Sequence, residues 1–287
     1  MRAVVAHGAG DFRVEEVPEP TLEGGAVVRM EAAGVCAADR MIYKGDSPWE
    51  LTFPFIPGHE NVGTVVELDA DAGRRWGVAE GDMVVNEVMV PCGACPLCRR
   101  ERFHLCRDGR HIGSSLPGGW AERMAIPPEA RVWRVPTGLA PEEAVAAEPL
   151  ACGVHAIERA DPAEGETIVI SGIGAIGAGA LAYVAAVKPV REIVALVTTP
   201  ERARLARELG ATEAIDVRKS DAAGELRERT AGVGHDHYVD FTGDNASVDL
   251  ALDAIATGGR ITLFGVYRER ATVDWNTVAE FKELEIR

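Results

Sequence analysis

The sequence predicts an α/β protein with a β-rich first half and a second half built on a doubly wound parallel sheet. Three observations predict it. Short apolar runs in the first half are broken repeatedly by Gly and Pro. From Thr167 onward, strand-length apolar runs alternate with helical patterns. The first of those runs leads directly into the glycine-rich segment Gly172–Gly177.

The elements follow in order. Ala3–Ala6, Ala26–Ala32, Gly63–Leu68 and Met83–Val85 read as strands, separated by turn clusters such as Pro18-Glu19-Pro20 and Glu23-Gly24-Gly25. A helical stretch, Pro141–Ala160, joins the halves. Further strands are expected at Thr167–Ser171, Glu192–Val197, Glu213–Asp216, His237–Phe241, Arg260–Val266 and Leu284–Arg287, with helices starting near Ala175, Pro200, Asp221 and Ala246. The expected domains are residues 1–148 and 149–287. The final strand has no helix after it to cover its face, so the second domain is expected to be cut short at its C-terminus.

With 287 residues the chain is long enough for two domains with ample core, and its 47% hydrophobic content is ordinary for a globular protein. Its 45 acidic and 30 basic side chains give a net charge of −15. Phosphate binding draws on Lys and Arg, so this balance argues against nucleic acid and against an anionic membrane surface as partners. No apolar run is long enough to cross a bilayer. Met1-Arg2-Ala3-Val4-Val5 is not followed by the apolar core of a signal peptide, so a cytoplasmic location is expected.

Four cysteines stand at the spacing Cys92-x2-Cys95-x2-Cys98-x7-Cys106, in a lobe of about residues 91–107. Four thiolates this close can surround one Zn²⁺, and a closed all-sulfur site is structural. Two disulfides are the competing reading, but they require an oxidising compartment.

Gly172-Ile173-Gly174-Ala175-Ile176-Gly177 follows the apolar strand Ile168-Val169-Ile170 and opens a helix. In that context G-x-G-x-x-G indicates dinucleotide binding: Gly172 for the tight turn, Gly174 for approach of the pyrophosphate, and Gly177 for helix packing. The helix N-terminus offers N–H groups to the phosphates. After the second strand comes Val197-Thr198-Thr199-Pro200-Glu201-Arg202, without the carboxylate that selects NAD. Thr198, Thr199 and Arg202 are available to a 2′-phosphate, so both NAD and NADP stay open.

Cys36-Ala37-Ala38-Asp39, Pro57-Gly58-His59-Glu60 and Glu148-Pro149 form a third constellation. Each piece is weak alone. His59-Glu60 is not a zinc-protease helix, because Asn61-Val62-Gly63 follows rather than a second histidine. An acidic residue before Pro in an apolar segment requires a partner if buried.

Taken together these motifs resemble the zinc-dependent medium-chain alcohol and polyol dehydrogenases, in the sorbitol–threonine–erythritol dehydrogenase branch. The matching segments are Gly34-Val35-Cys36-x-x-Asp39, Pro57-Gly58-His59-Glu60, the four-cysteine lobe, Glu148–His155 and Gly172–Gly177, followed by Phe241-Thr242-Gly243, Gly258-Gly259-Arg260 and Gly265-Val266-Tyr267. The resemblance implies a GroES-like catalytic domain, a Rossmann domain, and a cleft between them holding zinc. It implies Cys36, His59 and Glu148 as zinc ligands, with Glu60 adjacent and exchangeable, and Asp39 orienting His59. It places the dinucleotide against Gly172, Gly174, Ile176, Gly177, Thr198, Thr199, Arg202, Thr242 and Val266. Two zinc ions per chain, a polyol or sugar substrate and a homodimer or homotetramer are expected. Zinc lowers the pKa of bound water from about 15.7 to about 7, and a comparable shift for an alcohol is worth roughly 12 kcal/mol.

This chain departs from the family at Ala38, where many relatives carry a Ser or Thr that relays the alcohol's proton. It also stops where relatives continue. A non-catalytic, zinc-stapled dinucleotide-binding protein is therefore the alternative. Cys152 and His155 read as ordinary helix packing, and His7, His104, His111, His235 and His237 as loop or turn residues. Trp49 and Trp120 are expected in loops.

Overall fold

Two units, Met1–Glu148 and Pro149–Arg287, make up the computed structural model, which describes all 287 residues. In the first unit, β1 (Arg2–Gly8) and β2 (Asp11–Glu16) form an antiparallel hairpin. The chain continues through β3 (Ala26–Ala33), α1 (Ala37–Lys44), β4 (Asn61–Leu68), α2 (Ala70–Trp76) and β5 (Met83–Asn86). The short β6 (Met89–Val90) and β7 (Arg110–His111) pair across the cysteine lobe, and β8 (Arg123–Ile126), β9 (Val132–Arg134) and α3 (Pro141–Ala144) complete the unit.

Five of these strands form an antiparallel sheet in the order β8-β3-β4-β5-β9. One face buries Ala26, Val28, Val65, Val84, Met124 and Ile126 in a single cluster. Burying each of the larger side chains fully contributes about 1.5–3 kcal/mol. The four strands expected here are present. The five others carry weaker signals. β2 is DFRVEE on a largely exposed hairpin with only Phe12 and Val14 as apolar positions, while β6 to β9 span only two to four residues each.

The second unit begins within α4 (Ala147–Ala160) and follows with β10 (Thr167–Ser171), α5 (Ala175–Val187), β11 (Glu192–Val197), α6 (Pro200–Glu208), β12 (Glu213–Asp216), α7 (Ala222–Arg229), β13 (His235–Asp240), α8 (Asn245–Ala254), β14 (Ile255–Leu263) and β15 (Glu285–Ile286). Its parallel sheet has the order β12-β11-β10-β13-β14-β15. The order reverses between β10 and β13, the switch point where doubly wound sheets bind ligands. All five residues of β10 are buried, since helices cover both faces.

Several expectations need correction. Pro141–Ala160 is not one helix but two, because a proline ring at position 149 clashes with the carbonyl of residue 145 in a continuous helix. Restarting at Ala147 puts Pro149 in the first turn, where its missing N–H costs nothing. β14 is Ile255–Leu263, not Arg260–Val266. It bends at Gly258-Gly259, and regular pairing resumes at Arg260 opposite His237. It ends early because the amides of Phe264 and Gly265 both donate to the Asp240 carbonyl oxygen, at 2.9 and 3.0 Å. His235 and His237 are not loop residues: both lie buried in β13. His7 lies in β1 and His111 in β7. No helix is long and apolar enough to cross a membrane.

Candidate active site

The cysteine lobe is assembled by two one-turn 3₁₀ segments, Cys98–Arg100 and Phe103–Leu105, folded under the β6–β7 ribbon. Cys92 Sγ stands 4.0 Å from Cys98 Sγ, and Cys95 Sγ stands 3.9 Å from Cys106 Sγ. A tetrahedron with metal–sulfur bonds of about 2.3 Å has edges of roughly 3.8 Å. Backbone amides point at three of the sulfurs: Cys95 N–H to Cys92 Sγ at 3.3 Å, Cys98 N–H to Cys95 Sγ at 3.4 Å, and Cys92 N–H to Cys106 Sγ at 3.3 Å. These amides favour thiolates. The Cys98 amide holds the Cys95 thiol down to about 6, whereas burial pushes Cys98 up to about 12. A ring of thiols so close that their ionisations oppose one another fits a divalent cation. None of the six cysteines of the chain forms a disulfide.

The second cluster is Cys36, His59 and Glu60, whose ligand atoms all lie within 4.8 Å of one another. Local folding places each one. Cys36 is the N-cap of α1, and Asp39 three residues on closes a capping box by accepting the Cys36 amide at 2.8 Å. Gly58 has φ +98°, a backbone open to glycine, and any Cβ there would strike Trp120. Trp120 in turn donates its Nε1–H to the Gly34 carbonyl at 2.9 Å, so one indole ties the Cys36 loop to the His59 loop. Glu60 lies directly over Gly34, where a Cβ would overlap its Oε2.

The electrostatics of the cluster are those of a cation site. Burial first, then the charges of Glu60, Asp39 and Glu148, push the Cys36 thiol up to about 11. Asp39 is buried, and burial raises its carboxyl above the usual range. Its Oδ1 stands 3.8 Å from His59 Nδ1 and has no hydrogen-bond partner. Two carboxylates, a thiol and an imidazole in one half-buried place fit Zn²⁺ and have no other evident counter-charge. Of the expected ligands, Glu60 completes the close group of three with Cys36 and His59, and Glu148, in the first turn of α4, acts on Cys36 through its charge.

His59 and Ala38 also line a cavity of about 950 Å³, with Trp49, Ile56, His111 and Ser114 among its other walls. Its polar groups are few and its surface is mainly apolar, the usual character of a small-molecule site. Partial desolvation lowers the pKa of His111 below its ordinary value.

In the second unit the glycine-rich turn has the form its sequence implies. Gly172 has φ +91°, Gly174 leads α5 with no side-chain cap, and a Cβ at Gly177 would overlap the Gly172 carbonyl. A Cβ at Gly174 would meet nothing nearer than Arg202 Nη1, at 3.9 Å. The uncapped amides at the start of α5 are free for an anion, and the open side of Gly174 admits its approach. Arg202 is not confined to a solvated helix face, because its Nη1 donates to the Ile173 carbonyl at 2.5 Å. Thr199 is the N-cap of α6, accepting the Arg202 amide at 3.3 Å, and its hydroxyl also contacts the Glu201 carboxylate. Thr198 is exposed at the end of β11. Thr242 and Val266 approach the turn from the ends of β13 and β14. A Cβ at Gly172 would lie 2.7 Å from Thr242 Cγ2, and one at Gly243 would overlap the Val266 carbonyl. Ile176 lies in the first turn of α5.

Sequence reasoning missed the role of Trp120, Gly34 and Gly58 as the frame of the Cys36–His59 site. The adjacency of Gly34 to Cys36 and of Gly58 to His59 was the available signal; their long-range partners were not.

Comparison with known proteins agrees with this geometry. Residues 23–137 match the alcohol dehydrogenase GroES-like domain, and residues 175–287 match the zinc-binding dehydrogenase family. The chain is 39% identical to an erythritol/L-threitol dehydrogenase of Mycolicibacterium smegmatis, over 100% of this chain and 82% of that protein. It is 31% identical to an L-threonine 3-dehydrogenase of Pyrococcus horikoshii, over 100% of this chain and 80% of the relative. Among solved structures, an alcohol dehydrogenase of Aeropyrum pernix superposes with a TM-score of 0.89 at 28% identity, covering 100% of this chain and 84% of that one. A zinc-binding dehydrogenase of Sinorhizobium meliloti bound to NADP also gives 0.89 at 28% identity, covering 99% and 82%.

Proposed function

Because the chain belongs to the zinc-dependent medium-chain alcohol and polyol dehydrogenase family, we propose that it oxidises a secondary alcohol of a small polyol, with hydride passing to NAD or NADP. The erythritol/L-threitol dehydrogenase named above makes four-carbon polyols the first substrates to test. The observation that carries the reading is the convergence of Cys36, His59 and Glu60 at a cavity whose wall includes His59. The rest of the reading is two zinc ions per chain, a reducing cytoplasm that suits a chain without disulfides, and a homodimer or homotetramer.

Zinc held by Cys36, His59 and one of the acids Glu60 and Glu148 supplies a Lewis acid that makes an alcohol more acidic. The residues around it do the remaining work. Asp39 holds the tautomer and direction of the His59 ring. The single thiolate and single carboxylate keep the site near neutrality, so that a developing negative charge on substrate oxygen is not repelled. Ala38 faces the cavity without a hydroxyl, so the substrate proton would leave to solvent through Glu60 or Glu148, or be relayed there through a neighbouring hydroxyl of the polyol itself. His111 and Ser114 offer that second hydroxyl a polar wall. In the second unit, Gly174 and the first amides of α5 receive the pyrophosphate, and Arg202 with Thr199 flanks the adenosine ribose.

The test is a screen of four- to six-carbon polyols, monohydric alcohols and L-threonine against both nicotinamides, with zinc counted on the same sample. Two zinc ions and nicotinamide reduction on a polyol support the reading. One zinc ion with dinucleotide binding but no turnover supports the zinc-stapled scaffold instead.

A further inference from the structure

Asp240, the last residue of β13, is fully buried. Five donors converge on its carboxylate. Oδ1 accepts the Thr242 amide at 3.2 Å, the Thr242 hydroxyl at 2.7 Å and the Ser247 hydroxyl at 2.7 Å. Oδ2 accepts the Gly243 amide at 3.0 Å and the Tyr267 phenol at 2.6 Å. All five are neutral, and no Lys or Arg pairs with the group. Ser247 extends the network to the Ser171 hydroxyl at 2.8 Å and to the Tyr238 hydroxyl at 2.9 Å. Burial and the Asp240 contact push the Tyr267 phenol well above its ordinary range, so it stays a donor.

A buried carboxylate without a cation is costly even when hydrogen-bonded, because neutral dipoles offset the lost hydration only in part. An asparagine of equal size does not explain the position either: its amide nitrogen would face the Gly243 amide, so the site is built for an anion. Its place is informative. Asp240 ends the strand on one side of the β10–β13 switch point, and its partners span the turns after β13 and β14. In a doubly wound sheet the adenosine half of a dinucleotide lies over the first three strands, here β10, β11 and β12, and the other half lies over the strands beyond the switch. The turn Thr242-Gly243 packs against Gly172, and Gly265 packs against Gly243.

We infer that Asp240 supplies a fixed negative charge beneath the nicotinamide half of the site and favours the oxidised, cationic ring over the reduced, neutral one. The inference rests on the dinucleotide reading above and adds the selection of redox state to it. Asp240 touches neither substrate nor the reacting atoms. It acts as a positioning residue through Thr242, Gly243 and Tyr267, and through its field across a low-dielectric interior.

The experiment measures dissociation constants of the oxidised and reduced dinucleotides for the full chain, by calorimetry and nicotinamide fluorescence. In Asp240→Asn, affinity for the oxidised form is expected to fall about tenfold more than affinity for the reduced form. Tyr267→Phe removes one hydrogen bond but no charge, and is expected to weaken both forms alike. An unchanged ratio in Asp240→Asn, or an equal change of ratio in Tyr267→Phe, overturns the inference while leaving the dinucleotide site standing. Failure of the unaltered protein to bind either form overturns both. Should Asp240→Asn not fold, the unaltered protein is compared with NAD⁺ and with its benzamide analogue, in which carbon replaces the charged ring nitrogen. Preference for the cation supports the inference, and equal binding ends it.

Discussion

Glu60 lies so close over Gly34 that a single methyl group on Gly34 would occupy the space of its carboxylate oxygen. The residue two before Cys36 thus sets where the Glu60 carboxylate can sit. Gly34→Ala is expected to displace Glu60 and to weaken zinc at the Cys36 site by about 10–100-fold, the range seen when metal-site support is lost. Chelator competition would read this as one weakened zinc ion, with the one in the cysteine lobe unaffected. The paired variants Glu60→Gln and Glu148→Gln then assign the acids: a Glu60→Gln protein with unchanged turnover would remove Glu60 from the cycle.

Asp39 carries two tasks, closing the α1 capping box and facing the His59 ring. Asp39→Asn keeps the shape but lacks the negative charge. Zinc affinity at the Cys36 site is expected to fall about 10–100-fold, with a stability loss of about 1 kcal/mol from the weakened cap. A stability loss with zinc affinity intact would mean that Asp39 serves the helix alone.

Cys95→Ser is expected to reduce the zinc count from two to one per chain and to lower the thermal midpoint, because a structural metal's binding energy is folding energy. The remaining zinc should still be extracted by chelators at the unaltered rate, since the lobe and the Cys36 cluster share no ligand.

Ala38→Ser restores a hydroxyl beside the cavity. If a neighbouring substrate hydroxyl takes the relay role, turnover on a four-carbon polyol should change less than about threefold, within about 0.7 kcal/mol. A large gain on monohydric alcohols would contradict that route.

His235 is fully buried in β13, neither ring nitrogen has a hydrogen-bond partner, and desolvation lowers its pKa in the folded protein. Glu192, the Leu226 backbone and Asp236 oppose the shift, and Arg229 adds to it. A base whose folded pKa is depressed stabilises the fold above its unfolded value, about 6.5, and loses that contribution as pH falls toward the folded value. Urea midpoints are therefore expected to drop between pH 7.5 and 5 by more in the unaltered protein than in His235→Phe. Equal slopes would show that His235 is not the titrating group.

The parallel strands β10, β11 and β12 were legible to the residue, because β10 and β11 are short apolar runs and β12 is bracketed by clear helix starts. The β13 histidines were not, since a histidine in a sequence carries no sign of burial; only the pairing of β13 between β10 and β14 puts His235 and His237 inside. Helix breaking at Pro149 was readable in principle from ring sterics. The hairpin strand β2 was harder to read, because its alternating Phe12 and Val14 are only two apolar positions and Val14 is exposed.

The sequence alone determined what is local or set by spacing: the four-cysteine lobe, the dinucleotide turn, the alternation of strands and helices, and the list of metal-binding candidates. Spacing acts through covalent geometry, so residues a few positions apart cannot help meeting. Tertiary structure decided which distant residues share a site: that Glu60 joins Cys36 and His59, that Trp120 frames them, and that five neutral donors converge on Asp240. Those choices depend on how sheets pack and loops close over tens of residues, where many pairings are compatible with one pattern and only the folded chain selects among them.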